Sequence, residues 1–272
     1  VDTASPTVDD DLALAGELVS EAGRLAARML ADGLDTQHKS SVSDVVSAAD
    51  RAAEDLIAGR LAELRPTDGL VGEEGTHRGG DGRTWFIDPV DGTYNFLAGL
   101  PFWCSAIALT DQPADSTGDR PPGLGAVYFP QTDELWLAAP GRPTTCNGRP
   151  LAALADAPLA QLSLASYQHP PRLSDPAVRE PTWAVIGGAA TVRMLGSGSV
   201  ELALVASARL GAWAQLDCPA WDWLPGAALV RSVGGSTEVL RHRGHRWHLA
   251  GNRQAVADIR RLITGGAPDL VP

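Results

Sequence analysis

Cysteine is scarce in this chain: Cys104, Cys146 and Cys218 stand far apart in 272 residues, with no C-x-x-C spacing. An odd, scattered set argues against a disulfide framework or a structural zinc site, and predicts reduced thiols of a cytoplasmic protein. Basic residues are also in deficit, 22 Lys and Arg against 33 Asp and Glu, for a net charge of −11. A nucleic-acid groove needs a basic stripe, so that class of partner is not expected. No stretch approaches the ~20 apolar residues of a membrane span, and no basic segment followed by an apolar one marks a leader. Internal repeats and low-complexity blocks are missing too. The expectation is a soluble globular protein with no membrane or nucleic-acid partner, long enough for one large domain or two modest ones.

What the sequence does have is acids in unusual places. The run Trp85-Phe86-Ile87 reads as a buried strand, yet it ends in Asp88-Pro89-Val90-Asp91, followed by Gly92-Thr93-Tyr94-Asn95-Phe96. Carboxylates at the end of an apolar strand need partners, because an unpaired buried charge is expensive. Hard cations such as Mg²⁺ or Ca²⁺ take oxygen ligands of this kind, Gly92 admits close backbone approach, and Thr93 adds a hydroxyl. Glu73 also ends an apolar run. Asp222, between Trp221 and Trp223, has a plain alternative reading as a helix N-cap.

Periodicity gives the rest in outline, mixed α and β. A helix is predicted from Asp9 to about Ala31, its acids at the positive end of the dipole. A second is predicted from Ser47, read as the start of a capping box with Asp50, to Leu64. Strands are expected at 70–75, 103–109, 123–129 and 134–138, with Asn147-Gly148 at a tight turn. Residues 110–122 and 169–181 read as loops. Further on come a strand at 159–167, helices at 197–210, 220–233 (Pro225 in its first turn) and 253–263, a strand at 212–216 and a hairpin over 237–250. Three histidines in that hairpin (His242, His245, His248) read as part of a solvated basic surface rather than a metal site, and Cys218 has no apparent partner as a nucleophile.

Gly72-Glu73-Glu74, Trp85-x-Ile87-Asp88-Pro89-x-Asp91-Gly92-Thr93-x-Asn95-Phe96 and Trp221-Asp222-x-x-x-Gly226 together resemble the inositol monophosphatase family of Mg²⁺-dependent, Li⁺-inhibited phosphomonoesterases. Lys39-Ser40-Ser41 and Asp44-Val45-Val46-Ser47-x-x-Asp50 extend the likeness upstream. The resemblance implies an α/β fold with layers in the order α/β/α/β/α. An N-terminal half (1–150) would bring most metal ligands, and a C-terminal half (151–272) would bring Asp222 and the alcohol pocket, in one compact unit. It implies two or three Mg²⁺ held by Glu73, Asp88, the Val90 carbonyl, Asp91 and Asp222. Thr93, hydrogen-bonded to Asp50, would orient and activate a metal-bound water, with Glu73 also in the catalytic set. Backbone N–H groups of Gly92 and Thr93 would hold phosphate oxygens, and Gly196, Ser197 and Gln215 would contact the substrate. A homodimer is implied as well.

The expected activity is hydrolysis of a small phosphate monoester, with inositol 1-phosphate favoured. Gln215 departs from the Glu that inositol-specific members carry there, which keeps histidinol phosphate open as a rival. 3′-Phosphoadenosine 5′-phosphate and fructose 1,6-bisphosphate rank below it. The D-x-x-D spacing argues against an aspartyl-phosphate mechanism, which needs D-x-D. A non-enzymatic scaffold is disfavoured because every expected acid is present.

Overall fold

The computed structural model describes residues 6–35, 42–111 and 123–266, with backbone alone at 33–35 and 42–47. Helices α1 (Val8–Asp35) and α2 (Val42–Leu64) come first. An eight-stranded sheet follows, in the order β2-β1-β3-β4-β5-β6-β7-β8. Its strands are β1 (Gly69–Gly72), β2 (His77–Arg78), β3 (Thr84–Asp91), β4 (Cys104–Thr110), β5 (Leu124–Phe129), β6 (Glu134–Ala138), β7 (Thr145–Cys146) and β8 (Arg149–Pro150). β1 and β3 run parallel and the remaining neighbours antiparallel. The predicted Asn147-Gly148 turn joins β7 to β8, with φ of 50° and 73° at its two centre residues, as a tight hairpin of this kind requires.

Alternation along β3 sets the layers. Trp85 and Ile87 face α1 and α2 with Leu18, Ala22, Ala53 and Ile57. Phe86 faces the other way, into a cluster with Leu202, Leu224, Ala227 and Ala250. That second cluster is the middle of the molecule, where α5 (Gly198–Ala206) and α6 (Ala220–Ser232) lie between the two sheets. The second sheet has the order β10-β9-β11-β13-β12. Its members are β9 (Ser163–Ala165), β10 (Thr191–Arg193), β11 (Ala212–Leu216), β12 (Ser236–His242) and β13 (His245–Gly251). Its outer face is covered by α4 (Pro176–Gly188) and α7 (Arg253–Thr264) through Val185, Ile259 and Ile263. The layers therefore run α/β/α/β/α, as expected.

One end of β3 is tied down by an ion network. Asp11 of α1, 3% exposed, accepts from Arg65 Nε at 2.7 Å and from Arg83 Nη1 at 2.9 Å. Asp68 accepts from Arg83 Nη2 and from Trp85 Nε1, each at 2.8 Å. Two buried acids and the indole of β3 are thus satisfied by two guanidinium groups, which is how a protein interior tolerates charge.

Several local expectations need correction. α2 begins at Val42, so Ser47 is inside the helix and heads no capping box. Ala49, Ala53, Ile57 and Leu61, all fully buried and spaced by four, carry the helical face further back than the polar residues suggested. The loop read over 169–181 holds a short 3₁₀ turn and then α4, with Pro176 at its start and Asp175 accepting from the Ala177 N–H at 2.8 Å. Proline there pre-sets the first helical turn instead of breaking it. The run 159–167 splits into a 3₁₀ turn and the three-residue β9. Pro225 is the sixth residue of α6, beyond its first turn. His248 is fully buried, its ring edge against Trp223, so the hairpin is not a solvated surface throughout. The Lys39-Ser40-Ser41 segment and most of the 110–122 connection lie outside the described residues.

Candidate active site

A strand that alternates faces would send Asp88 and Asp91 to opposite sides, since their separation is odd. The pairing shows why it does not. Asp88 stands opposite Ala106 and Asp91 opposite Cys104, so β3 spends one extra residue in a bulge. Pro89, which has no N–H to give a ladder, occupies the bulge, and its carbonyl accepts from Ser105 Oγ at 2.6 Å. Both carboxylates thereby reach one cavity. Gly92 follows with φ of 101°, and a Cβ there would lie 2.8 Å from the Phe102 carbonyl. Only glycine turns the chain at this point into α3 (Thr93–Leu97).

Glu73 arrives from the end of β1, its N–H donating to the Ile87 carbonyl at 3.1 Å. Behind it, buried Glu54 accepts from the N–H groups of Glu74 and Thr76, each at 2.9 Å. A Cβ on Gly72 would meet the Glu54 carboxylate at 2.3 Å, so glycine is what lets that support sit so close. Asp222 is the third residue of α6, and Pro219 takes the N-cap position. The N-cap reading of Asp222 is thus wrong: its side chain is turned to the cavity.

That cavity, about 200 Å³ and open to solvent, is lined by Glu73, Asp88, Asp91, Asp222, Gly92 and Thr93 on one side. Tyr94, Tyr167, His169, Gly196, Gly198 and Gln215 complete it. Among the described residues, four acids and no Lys or Arg line it. Burial first, then the charges of Glu73, Asp91 and Asp222, push the Asp88 carboxyl well above its ordinary range. Burial and the Asp91 and Glu73 charges do the same to Asp222. Glu73 is pushed up to about 7, mainly by burial, and Asp50 of α2 likewise to about 7, with Glu74 and Glu73 adding to it. Glu73 and Asp222 both approach Asp88 closely enough to share a proton with it.

The donor set fits a cation. Among the described residues Asp88 Oδ1 is buried with no hydrogen-bond partner, which is costly for an ionised oxygen and would be relieved by a metal. Among the described residues no three of these side chains are already drawn together into a closed cage. Mg²⁺ would not need such a cage, because it keeps waters and shares phosphate oxygens with one or two carboxylates.

Three expected site residues sit differently. Ser197, expected at the substrate, is 1% exposed and donates to Asp91 Oδ2 at 3.1 Å. It caps α5 and supports a carboxylate. Thr93 Oγ1 donates to the Val90 carbonyl at 3.3 Å, while Asp50 Oδ1 has no partner among the described residues. The expected Thr93–Asp50 bond is therefore not formed, since the hydroxyl at the start of α3 turns back onto the bulge. Gly196 and Gln215 do line the cavity, and Gln215 Oε1 is buried without a partner.

Sequence reading missed Glu54, Glu201, Tyr167 and His169. Glu201 is fully buried in α5 and accepts from Leu195 N–H at 2.7 Å, Gly196 N–H at 3.3 Å and Trp213 Nε1 at 2.9 Å. Burial pushes its carboxyl up to about 8. Its signal was available: one acid inside Val200-Glu201-Leu202-Ala203-Leu204-Val205 has no solvent face to occupy. Tyr167 and His169, rings 4.8 Å apart and edge to face, had no such signal. Cys104 and Cys218 are buried free thiols whose pKa burial raises, so neither is poised as a nucleophile.

The model of the inositol monophosphatase family matches residues 8–266. The chain belongs to that family. An inositol-1-monophosphatase of Rhizobium meliloti is 38% identical over 197 residues, 71% of each chain. A histidinol-phosphatase of Streptomyces coelicolor is 32% identical over 246 residues, covering 85% of this chain and 87% of its own. The structure of inositol monophosphatase from Anabaena (Nostoc) sp. PCC 7120 superposes with a TM-score of 0.80 at 25% identity, over 97% of this chain and 98% of that one. Membership in the inositol monophosphatase family makes the protein a phosphomonoester hydrolase with a small-molecule substrate, of a kind that works with metal ions. Relatives of similar identity act on different alcohols, so the family does not name the ester. Among the described residues no helix is long and apolar enough to cross a membrane.

Proposed function

We propose that this protein is a Mg²⁺-dependent phosphatase that hydrolyses inositol 1-phosphate by direct attack of water. The observation that carries the reading is the four carboxylates, Glu73, Asp88, Asp91 and Asp222, that line one cavity, Asp88 and Asp91 of them buried, with no Lys or Arg in its lining among the described residues. With the Val90 carbonyl, these residues would hold two or three Mg²⁺. Such ions supply positive charge to the phosphate and leaving oxygens of an in-line displacement. Gly92 and Thr93 present backbone N–H groups to the phosphate at the start of α3. Glu73 and Thr93 line the same space, where they orient the attacking water and take up its proton, with Asp50 behind them. Tyr167, His169, Gly196 and Gln215 face the alcohol.

Histidinol phosphate is the second reading. Gln215 favours it, since an uncharged amide replaces a carboxylate that would accept from two ring hydroxyls at once. We further propose a cytoplasmic homodimer inhibited by Li⁺. The test is a panel of phosphate monoesters with Mg²⁺, with and without Li⁺, including inositol 1-phosphate and histidinol phosphate. Mg²⁺-dependent, Li⁺-sensitive turnover is expected, with inositol 1-phosphate highest in kcat/KM. Turnover of histidinol phosphate alone would replace the substrate, and inertness to every ester with Mg²⁺ present would sink the whole proposal.

A further inference from the structure

The turn between β10 and α5 sits between two buried carboxylates. On its cavity side is Asp91, which accepts from Ser197 Oγ at 3.1 Å, Gly198 N–H at 3.3 Å and Ser199 N–H at 2.5 Å. On its far side is Glu201, whose Oε1 takes the Leu195 and Gly196 N–H groups and whose Oε2 takes Trp213 Nε1. Donors of five consecutive residues are thus divided between two acids, 195 and 196 to the rear and 197 to 199 to the front. Glu201 is fully buried and the helix around it is apolar.

The same residues tie the turn to the rest of the site. The Leu195 carbonyl accepts from Asn95 Nδ2 at 2.6 Å, which joins it to the Gly92–Thr93 phosphate turn. Trp213 stacks on Trp223 at 5.6 Å, directly after Asp222. Gly196 has φ of 82°, and a Cβ there would lie 2.9 Å from Asn95, so the turn has one conformation and little slack.

We infer that Glu201 is a positioning residue for Asp91: by holding Leu195 and Gly196 from behind, it fixes where the α5 N-terminus meets the Asp91 carboxylate, and so sets the protein's Mg²⁺ affinity. The physical reason is leverage through a short rigid turn. Two N–H groups directed to a carboxylate make strong, oriented bonds, and residues 197 to 199 inherit their position. Supports of metal-binding carboxylates are commonly worth tenfold or more in affinity. The inference rests on the Mg²⁺-binding reading of the site.

The test is direct Mg²⁺ binding by isothermal titration calorimetry to wild type, Glu201→Gln and Trp213→Phe, without substrate. Glutamine is nearly isosteric, but its amide must place an N–H₂ against either the turn's N–H groups or the indole. Glu201→Gln is expected to raise the Mg²⁺ Kd about tenfold, with kcat recovering at saturating Mg²⁺. A merely structural role would instead lower the active fraction and leave Kd unchanged, and that outcome overturns the inference. Trp213→Phe removes the Oε2 donor while keeping an aromatic ring beside Trp223, and is expected to shift Kd the same way by a smaller factor. If Glu201→Gln does not fold, Trp213→Phe decides, and an unchanged Kd in it overturns the proposal. A wild-type protein that binds no Mg²⁺ would condemn the site reading itself, a different failure from wild-type binding that the variants leave intact.

Discussion

The two ends of β3 both gather carboxylates and treat them in opposite ways. Near Trp85, Asp11 and Asp68 are met by Arg65, Arg83 and an indole N–H. Near Asp88, four acids share one cavity, Asp91 is met only by uncharged donors of the α5 turn, and among the described residues Asp88 Oδ1 has no hydrogen-bond partner. At the first end the protein supplies its own counter-charge, and the result is structure. At the second no described Lys or Arg lines the cavity, and the result is a site that suits a cation. The difference teaches that burial of an acid says little about role until its partners are counted.

The sharpest way to break this comparison is to remove one acid from each end. Asp91→Asn or Asp88→Asn is expected to cut phosphatase turnover by about 100-fold or more, the scale seen when one preorganised electrostatic group is lost. The metal-free melting temperature of Asp88→Asn is expected to hold or rise, because a repelling charge has been deleted, and that of Asp91→Asn to fall modestly, because its amide faces the Ser197, Gly198 and Ser199 donors. Steady-state kinetics and thermal melts on the same samples check both halves. A variant that loses turnover because it unfolds would place Asp91 with the structural acids.

At the other end, Asp11→Asn is expected to do the reverse. It leaves two guanidinium groups facing a neutral amide, and removing one partner of a buried pair costs about 3 kcal/mol. The urea midpoint should fall accordingly while kcat at 25 °C stays near wild type. Equal turnover loss in Asp11→Asn and Asp91→Asn would erase the distinction between the ends.

How much of this was legible beforehand follows the same division. The site end was readable, because Asp88-Pro89-x-Asp91-Gly92-Thr93 concentrates turn formers and acids after an apolar run, and that conflict has few solutions. The layers came from the resemblance, since periodicity alone gives only mixed α and β. Where sequence reading failed, the deciding contact was distant or a residue had two local meanings. Proline at 176 can break or start a helix, and here Asp175 and the buried face of Val178, Thr182 and Val185 make it a start. Asp222 fits an N-cap and a cavity equally well by sequence. Ser197 looked like a substrate contact because nothing local shows that Asp91, over a hundred residues earlier, claims its hydroxyl. The bulge that sends Asp88 and Asp91 to one side is a property of β4 as much as of β3.

The smallest expected effect sharpens the comparison through pH. Glu73 and Asp50 have carboxyl groups raised to about 7 in the folded protein, from ordinary values of 4.5 and 3.8. A raised carboxyl favours the protonated form when folded, so its stabilising contribution is full below pH about 4 and is lost as pH rises through about 7. Metal-free protein should therefore melt a few degrees lower at pH 8 than at pH 5. The loss is moderated because carboxylates beside an open cavity turn toward water as they ionise, an escape denied to Asp11. Adding Mg²⁺ should flatten the slope, since an ion bound only to the folded, ionised site returns stability where protons have left. Asp91→Asn should flatten it too, by removing a charge that holds the Glu73 carboxyl up, whereas Asp11→Asn should lower the whole curve without changing its tilt. Parallel curves for wild type with and without Mg²⁺ would mean that the acids at this end of β3 are already satisfied, and the contrast between the two ends would fail.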